Sequence, residues 1–195
     1  MNYAFINGKI LDGTKDMQVQ NGLCILVQDG IITDIVPDTA DLQNYDIIDL
    51  EGKYILPGLI NMHVHLAGNG KPQKKQRDNE KLVNTIMGSS LTRKIAYKMV
   101  TGFAKDELLS GVTTIRTVGG LGDFDTRLRD EIEAGTKTGP RILAANQGIS
   151  VPGGHMAGSV AIAAETIDDA LRQLAKSEEE KVDLIKLMIT GGVMD

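Results

Sequence analysis

Two of the chain's three histidines stand one residue apart, His63 and His65, at the end of the apolar run "LPGLINMHVHL". On an extended strand, side chains two residues apart share a face, about 6.5–7 Å apart along the backbone. In parallel α/β folds the C-terminal ends of strands are where sites form. Two neutral imidazoles at such an end make a half-site for a borderline divalent cation such as Zn²⁺. A pair of hydrogen-bonded structural histidines fits the same spacing. Gly58 upstream and Ala67-Gly68 downstream leave open space beside the pair.

Lys186 interrupts a second apolar run, "DLIKLMITGG", sharing a strand face with Leu184 and Met188. Charged groups are rarely buried unpaired. One reading is a strand-end lysine whose amine reaches water. The other is a lysine whose buried, neutral amine takes up CO₂ as a carbamate, an anionic two-oxygen ligand for metals. The Thr190-Gly191-Gly192 that follows reads as a tight turn. His155 sits in "ISVPGGHMAGS", either a surface-loop histidine or one that glycines bring close to a ligand. Arg116, in "GVTTIRTVGG", either binds an anion or pairs with Asp123 or Asp125. The following "GGLG" lacks the register and lysine of a phosphate loop. No nucleophilic serine elbow or Cys-His dyad is present, and Cys24 is remote in sequence from every histidine.

The elements that must position these residues change character along the chain. Residues 1–54 read as short strands punctuated at Asn7-Gly8, Asp29-Gly30 and Glu51-Gly52, which predicts hairpins in a small antiparallel module. After Pro57-Gly58, apolar runs of strand length alternate with helical patterns. The runs are "LINMHVHL", "GVTTIRTVGG", "PRILAANQGIS" and "DLIKLMITGG". Helices are predicted in "SLTRKIAYKMVTGFAKDELLS", in "FDTRLRDEIEAG" closing at Gly135, and in "ETIDDALRQLAKSEEEKV". In the last, Thr166 is the expected N-cap, and Ile167, Ala170, Leu171 and Leu174 mark one face. The polar stretch "AGNGKPQKKQRDNEKLVNTIMGSS" reads as a solvated loop or as a lid. The pattern implies a parallel sheet covered by helices. Four strand-helix units make half of an eight-fold barrel, which typically needs about 250 residues.

Bulk properties exclude several classes. The 195 residues are 42% hydrophobic and 24% charged, with a net charge of −5 and no basic stripe, so nucleic acid is not an expected partner. A single cysteine forms no internal disulfide. The N-terminus lacks the pattern of a signal peptide and no run reaches the length of a membrane span, so a soluble cytoplasmic protein is expected.

Together "YILPGLINMHVHL", "GVTTIRTVGG", "GPRILAANQGISVPGGH" and "DLIKLMITGGVM" resemble the metal-dependent amidohydrolase superfamily. The nearest branch is the Xaa-Pro dipeptidase and imidazolonepropionase-related group. The resemblance implies a (β/α) TIM barrel with a β-sandwich module built from both chain ends. Residues 1–54 then supply sandwich strands and residues 55–195 the first four barrel units. It also implies that His63, His65 and Lys186 are metal ligands for two divalent ions, Zn²⁺ being the expected one, with a carbamate on Lys186. His155 becomes a candidate for binding substrate. The reaction implied is hydrolysis of a C–N bond, in an amide or dipeptide, by a metal-bridging hydroxide. The lysine favours a binuclear hydrolase over mononuclear deaminases and imidazolonepropionases.

The chain departs from that pattern in three ways. The second-metal histidines and the catalytic aspartate of such enzymes lie beyond the fourth strand, so no catalytic aspartate is assigned before Asp195. The expectation is an N-terminal part, inactive alone, that needs a missing C-terminal half or a homo-oligomeric partner. Thr117 stands where relatives often carry Asp after the strand arginine. Half a barrel also leaves strand edges and helix faces exposed. Competing readings are a non-catalytic paralogue used for binding or assembly, and a deaminase or cyclic-amide hydrolase on the same scaffold.

Overall fold

The computed structural model describes residues 1–68, 70 and 78–190. The chain divides into two compact units, Met1–Pro57 and Gly58–Asp195.

The first unit holds β1 (Asn2–Ile6), β2 (Lys9–Ile10), β3 (Leu23–Gln28), β4 (Ile31–Pro37), β5 (Asp46–Asp49) and β6 (Tyr54–Ile55). Asp29 and Gly30 both take positive φ, 50° and 83°, as a two-residue hairpin turn requires, and Gln28 pairs with Ile31. The other two predicted hairpins are corners instead. Asn7 (φ 55°) carries the chain from β1 to β2, and Glu51-Gly52 carries it from β5 to β6. Because β1 runs parallel to β5 and β2 parallel to β6, the two turns lie side by side. Gly52 N–H donates to the Asn7 carbonyl at 2.7 Å, and Asn7 Nδ2 donates to Asp49 at 3.0 Å. The sheet, ordered β4-β3-β1-β5, is therefore mixed and not antiparallel. A positive φ specifies a tight turn; which strands it joins is decided by pairing elsewhere. Ala4, Ile10, Cys24, Ile25 and Leu26 are the buried apolar residues of this unit.

The second unit begins with β7 (Leu59–Val64), then α1 (Asn79–Met87), α2 (Ser90–Leu109), β8 (Val112–Thr117) and α3 (Phe124–Glu133). It continues with β9 (Arg141–Leu143), β10 (Gly148–Ser150), β11 (Ala161–Ala163), α4 (Ile167–Glu179) and β12 (Leu187–Met188). Strands β7-β8-β9 are parallel in that order, and β10 pairs in parallel with β11 on one side and β12 on the other. The fold is thus α/β with parallel strands. The run "PRILAANQGIS", expected as one strand, breaks at Asn146. That residue takes φ 52°, and its buried amide bonds Thr126 and Glu180. Asp183 N–H donating to the Ala144 carbonyl at 2.8 Å bridges the two strand sets across the break.

Helix signals in the sequence are realised locally. Thr166 caps α4 in a capping box with Asp169, and Gly135 closes α3 with φ 70°. The polar stretch after β7 is not all loop: Asp78 caps α1, which places Leu82, Val83, Ile86 and Met87 at helical spacing. Asn69 and residues 71–77 of that stretch, and the turn expected at Gly191-Gly192, lie outside the described residues. In α4 most of the predicted apolar face is outward. Ile167, Leu171 and Leu174 are 79%, 54% and 38% exposed, while Gln173 and Ser177 are buried. The apolar core of the unit instead joins Val64 and Leu66 to Val100, Ile115, Phe124, Leu128 and Ile142. Among the described residues, no helix is long and apolar enough to cross a membrane.

Candidate functional site

The histidine pair stands at the C-terminal end of β7, with His65 one residue past it. Val64, between them, turns into the core, so His63 and His65 project together on the opposite side. Their ring centroids are 5.3 Å apart with the planes edge to face. The close approach of β7 to β8 follows from Gly58, because any side chain there would overlap Thr113. At the far end of the same pair of strands, Val118 N–H donates to the Val64 carbonyl at 3.1 Å.

That last bond brings the loop after β8 against His65. His65 Nδ1 lies 3.0 Å from the Gly119 carbonyl oxygen. A carbonyl only accepts, so Nδ1 carries the proton and Nε2 keeps its lone pair in the neutral ring. Gly119 is required here twice over. Its φ is 138°, and a Cβ would come within 3.2 Å of the imidazole and of Val160. The "GGLG" stretch is therefore not a phosphate loop in function; it is the turn that orients a histidine. Burial lowers the His65 pKa most, outweighing the Gly119 bond, and the charges of His63, Lys186 and His155 add to the lowering.

Lys186 immediately precedes β12 and is half-buried; its carbonyl accepts from Ile149 N–H at 2.9 Å. Among the described residues it makes no ion pair. Of the predicted residues, then, His63 and His65 are brought together, while Lys186 and His155 bear on the pair only through the charges that help lower the His65 pKa. Arg116 is not part of the group. Its Nε donates to the Met62 carbonyl at 2.8 Å on the neighbouring strand, while Asp123 pairs with Arg93 and Asp125 is buried beside Thr117. The pairing expected for Arg116 with either aspartate does not occur, because a strand carbonyl is nearer than the loop. Cys24 belongs to the other unit and is a buried free thiol.

Beside the histidines opens a cavity of about 630 Å³. His63, His65 and Gly68 form one wall, Leu82, Val83 and Ile86 of α1 another, with Phe103, Leu121, Met156 and Val160 contributing. The α1 wall was not expected from sequence, although Asp78 followed by apolar residues at helical spacing is a usable signal for it.

The donor set fits one side of a divalent cation site. Two imidazoles, at least one with its outer nitrogen fixed as a lone pair, are suited to Zn²⁺ or a similar ion, and the Gly119 carbonyl is the kind of outer partner that orients a metal-binding histidine. Among the described residues no group of three or more His, Cys, Asp or Glu side chains is placed to complete such a site.

A family model described as the amidohydrolase family matches residues 54–194. A dihydroorotase from Syntrophobacter fumaroxidans (strain DSM 10017 / MPOB) is 38% identical over 78 residues, which are 38% of this chain and 17% of that protein. Among solved structures, one of an amidohydrolase superposes with a TM-score of 0.78 at 25% identity, over 99% of this chain and 48% of that one. Another, a Xaa-Pro dipeptidase with bound methionine in the active site, gives a TM-score of 0.76 at 28% identity, over 100% of this chain and 48% of that one. The chain thus spans about half the length of these solved relatives, and a smaller part of the dihydroorotase.

Proposed function

Because the chain belongs to the amidohydrolase family, we propose that it is the N-terminal part of a binuclear metal-dependent hydrolase cleaving a C–N bond, with dipeptides as the favoured substrate class. The observation that carries this reading is the His63–His65 pair with its Nδ1–H bond to Gly119. His63, His65 and Lys186 would hold the cations. When bound, such ions make hydroxide available at neutral pH and polarise a carbonyl.

The chain's own residues do the rest. Gly119 holds the His65 ring in one tautomer, so Nε2 faces outward without a proton to lose. Lys186 would first lose one proton to become a neutral amine, which adds to CO₂ and sheds a second proton, so that a cation near the imidazoles becomes an anion. That conversion removes the repulsion Lys186 otherwise exerts on a protonated His65. His155, on its glycine-rich loop, is proposed to contact the carbonyl or carboxylate end of the substrate. The cavity beside the histidines keeps an apolar wall on the α1 side, suited to excluding water from a bound side chain.

The four parallel strand-helix units are proposed as half of a TIM barrel, and the first unit as part of a β-sandwich module. The second-metal ligands and the catalytic aspartate then come from further strands, on a continuation of the polypeptide or on a partner. The comparison with the Xaa-Pro dipeptidase supports the dipeptide class. The identity to a dihydroorotase favours a second reading, hydrolysis of a cyclic amide.

An assay of the complete, zinc-loaded protein on dipeptides and on cyclic amides separates the two readings. His65→Ala is expected to lower kcat/KM by at least about a hundredfold, since it removes a metal ligand. Full activity in that variant contradicts the proposal.

A further inference from the structure

Asp125 is the one carboxylate of the second unit that is almost wholly buried, at 1% exposure, and the site described above does not use it. Its Oδ2 has no hydrogen-bond partner among the described residues. Burial pushes its pKa up to about 6, with the neighbouring Thr117 hydroxyl acting to lower it. A buried acid with an idle oxygen is costly to keep. Service to its own helix does not explain it. Asp123, at the N-cap of α3, makes no side-chain cap, and the Thr126 N–H is met by Asn146 at 3.0 Å.

What the carboxyl touches is Gly120. A Cβ at Gly120 would lie 2.5 Å from Asp125 Oδ2 and 2.8 Å from its Cγ, so the carboxyl occupies the volume a side chain would take. On the preceding residue, a Cβ at Gly119 would meet the His65 ring at 3.2 Å. The peptide joining the two glycines is therefore held between Asp125 and His65, and its carbonyl is the acceptor for His65 Nδ1. Thr117, beside Asp125, is itself fixed at the end of β8: its hydroxyl accepts from the Ala145 N–H at 3.1 Å and donates to the Leu143 carbonyl at 3.4 Å.

We propose that Asp125 is a positioning residue for His65, acting through the Gly119-Gly120 peptide to aim the carbonyl that selects the Nδ1–H tautomer. The role matters to catalysis only on the hydrolase reading above, but the geometry stands without it. The test is nitrogen NMR of the 195-residue chain with labelled histidine, together with titration by Zn²⁺ alone. In the parent chain His65 shows a single Nδ1-protonated neutral ring. Asp125→Ala converts this to a mixture of tautomers and weakens Zn²⁺ binding by about tenfold, the lower end of outer-partner effects. Asp125→Asn keeps the shape, and it restores the parent pattern. Gly120→Ala, which pushes the same peptide from the Asp125 side, reproduces the tautomer mixture and stands in if the aspartate variant does not fold. A folded Asp125→Ala or Gly120→Ala chain with the parent His65 signature overturns the proposal. Tautomers that respond while no variant binds Zn²⁺ overturn the hydrolase reading and leave the positioning role in place.

Discussion

The two flanks of the α/β unit are built on different terms. Around β8 and β9, α2 packs Ala96, Tyr97, Val100 and Ala104 and α3 packs Phe124 and Leu128 into the core. Tyr97 lies edge-to-face on Phe124 at 5.2 Å between centroids, although α2 also leaves Leu91, Ile95, Met99 and Leu109 exposed. Around β12, α4 turns Gln173 and Ser177 inward and leaves Ile167, Leu171 and Leu174 in solvent; Leu187 and Ile189 are also exposed. Strand β7, at the edge of its sheet, exposes Leu59, Ile60 and Met62. The first flank closes around a packed cluster of buried apolar residues. The second presents apolar surface that this chain does not cover, which is the usual mark of a contact surface. Of the two histidines, His65 is tied to the closed flank through Gly119, and His63 beside it is exposed.

The contrast is broken first by mutation. Phe124→Ala on the closed flank should cost about 3–5 kcal/mol in urea unfolding, because it opens a cavity in a packed core. Leu171→Gln on α4 should stay within about 0.5 kcal/mol. Equal losses at both positions would remove the distinction between the flanks.

The next effect is set by Asp125. Its folded pKa of about 6 lies above the ordinary 3.8, so the folded state binds its proton more tightly than the unfolded state. The stabilising contribution is complete below the unfolded value and is lost as pH rises through about 6. Asp125→Asn, which cannot ionise, should therefore be more stable than the parent by on the order of 3 kcal/mol at about pH 8. The gap should close on acidification below the ordinary aspartate range. Unfolding curves at several pH values check this, and a pH-independent gap would show that Asp125 is not held as the structure has it.

Much of the site could be read in the residues themselves. The alternation around Val64 puts two imidazoles on one side, and the break of an apolar run by Lys186 marks an anomaly, with no coordinates needed. The helix caps at Thr166 and Gly135 are equally local. What escaped was whatever depends on partners distant in sequence. The Asx-Gly signal at Asn7 specifies a left-handed backbone, but the parallel pairing of β1 with β5 makes it a corner. Arg116 found a backbone carbonyl 54 residues away in preference to either nearby aspartate. That α4 is the helix with an outward apolar face could not be told from spacing, because hydrophobic spacing marks a stripe without saying what covers it. Asp125 gave no signal at all, since an acidic residue in a first helical turn is ordinary until its burial is seen.

The account stands on His63 and His65 serving as metal ligands, and calorimetric titration of the 195-residue chain with Zn²⁺ tests this most directly. Saturable binding that weakens by at least about tenfold in both His63→Ala and His65→Ala is the predicted result. Absence of binding, or binding that survives both substitutions, contradicts it.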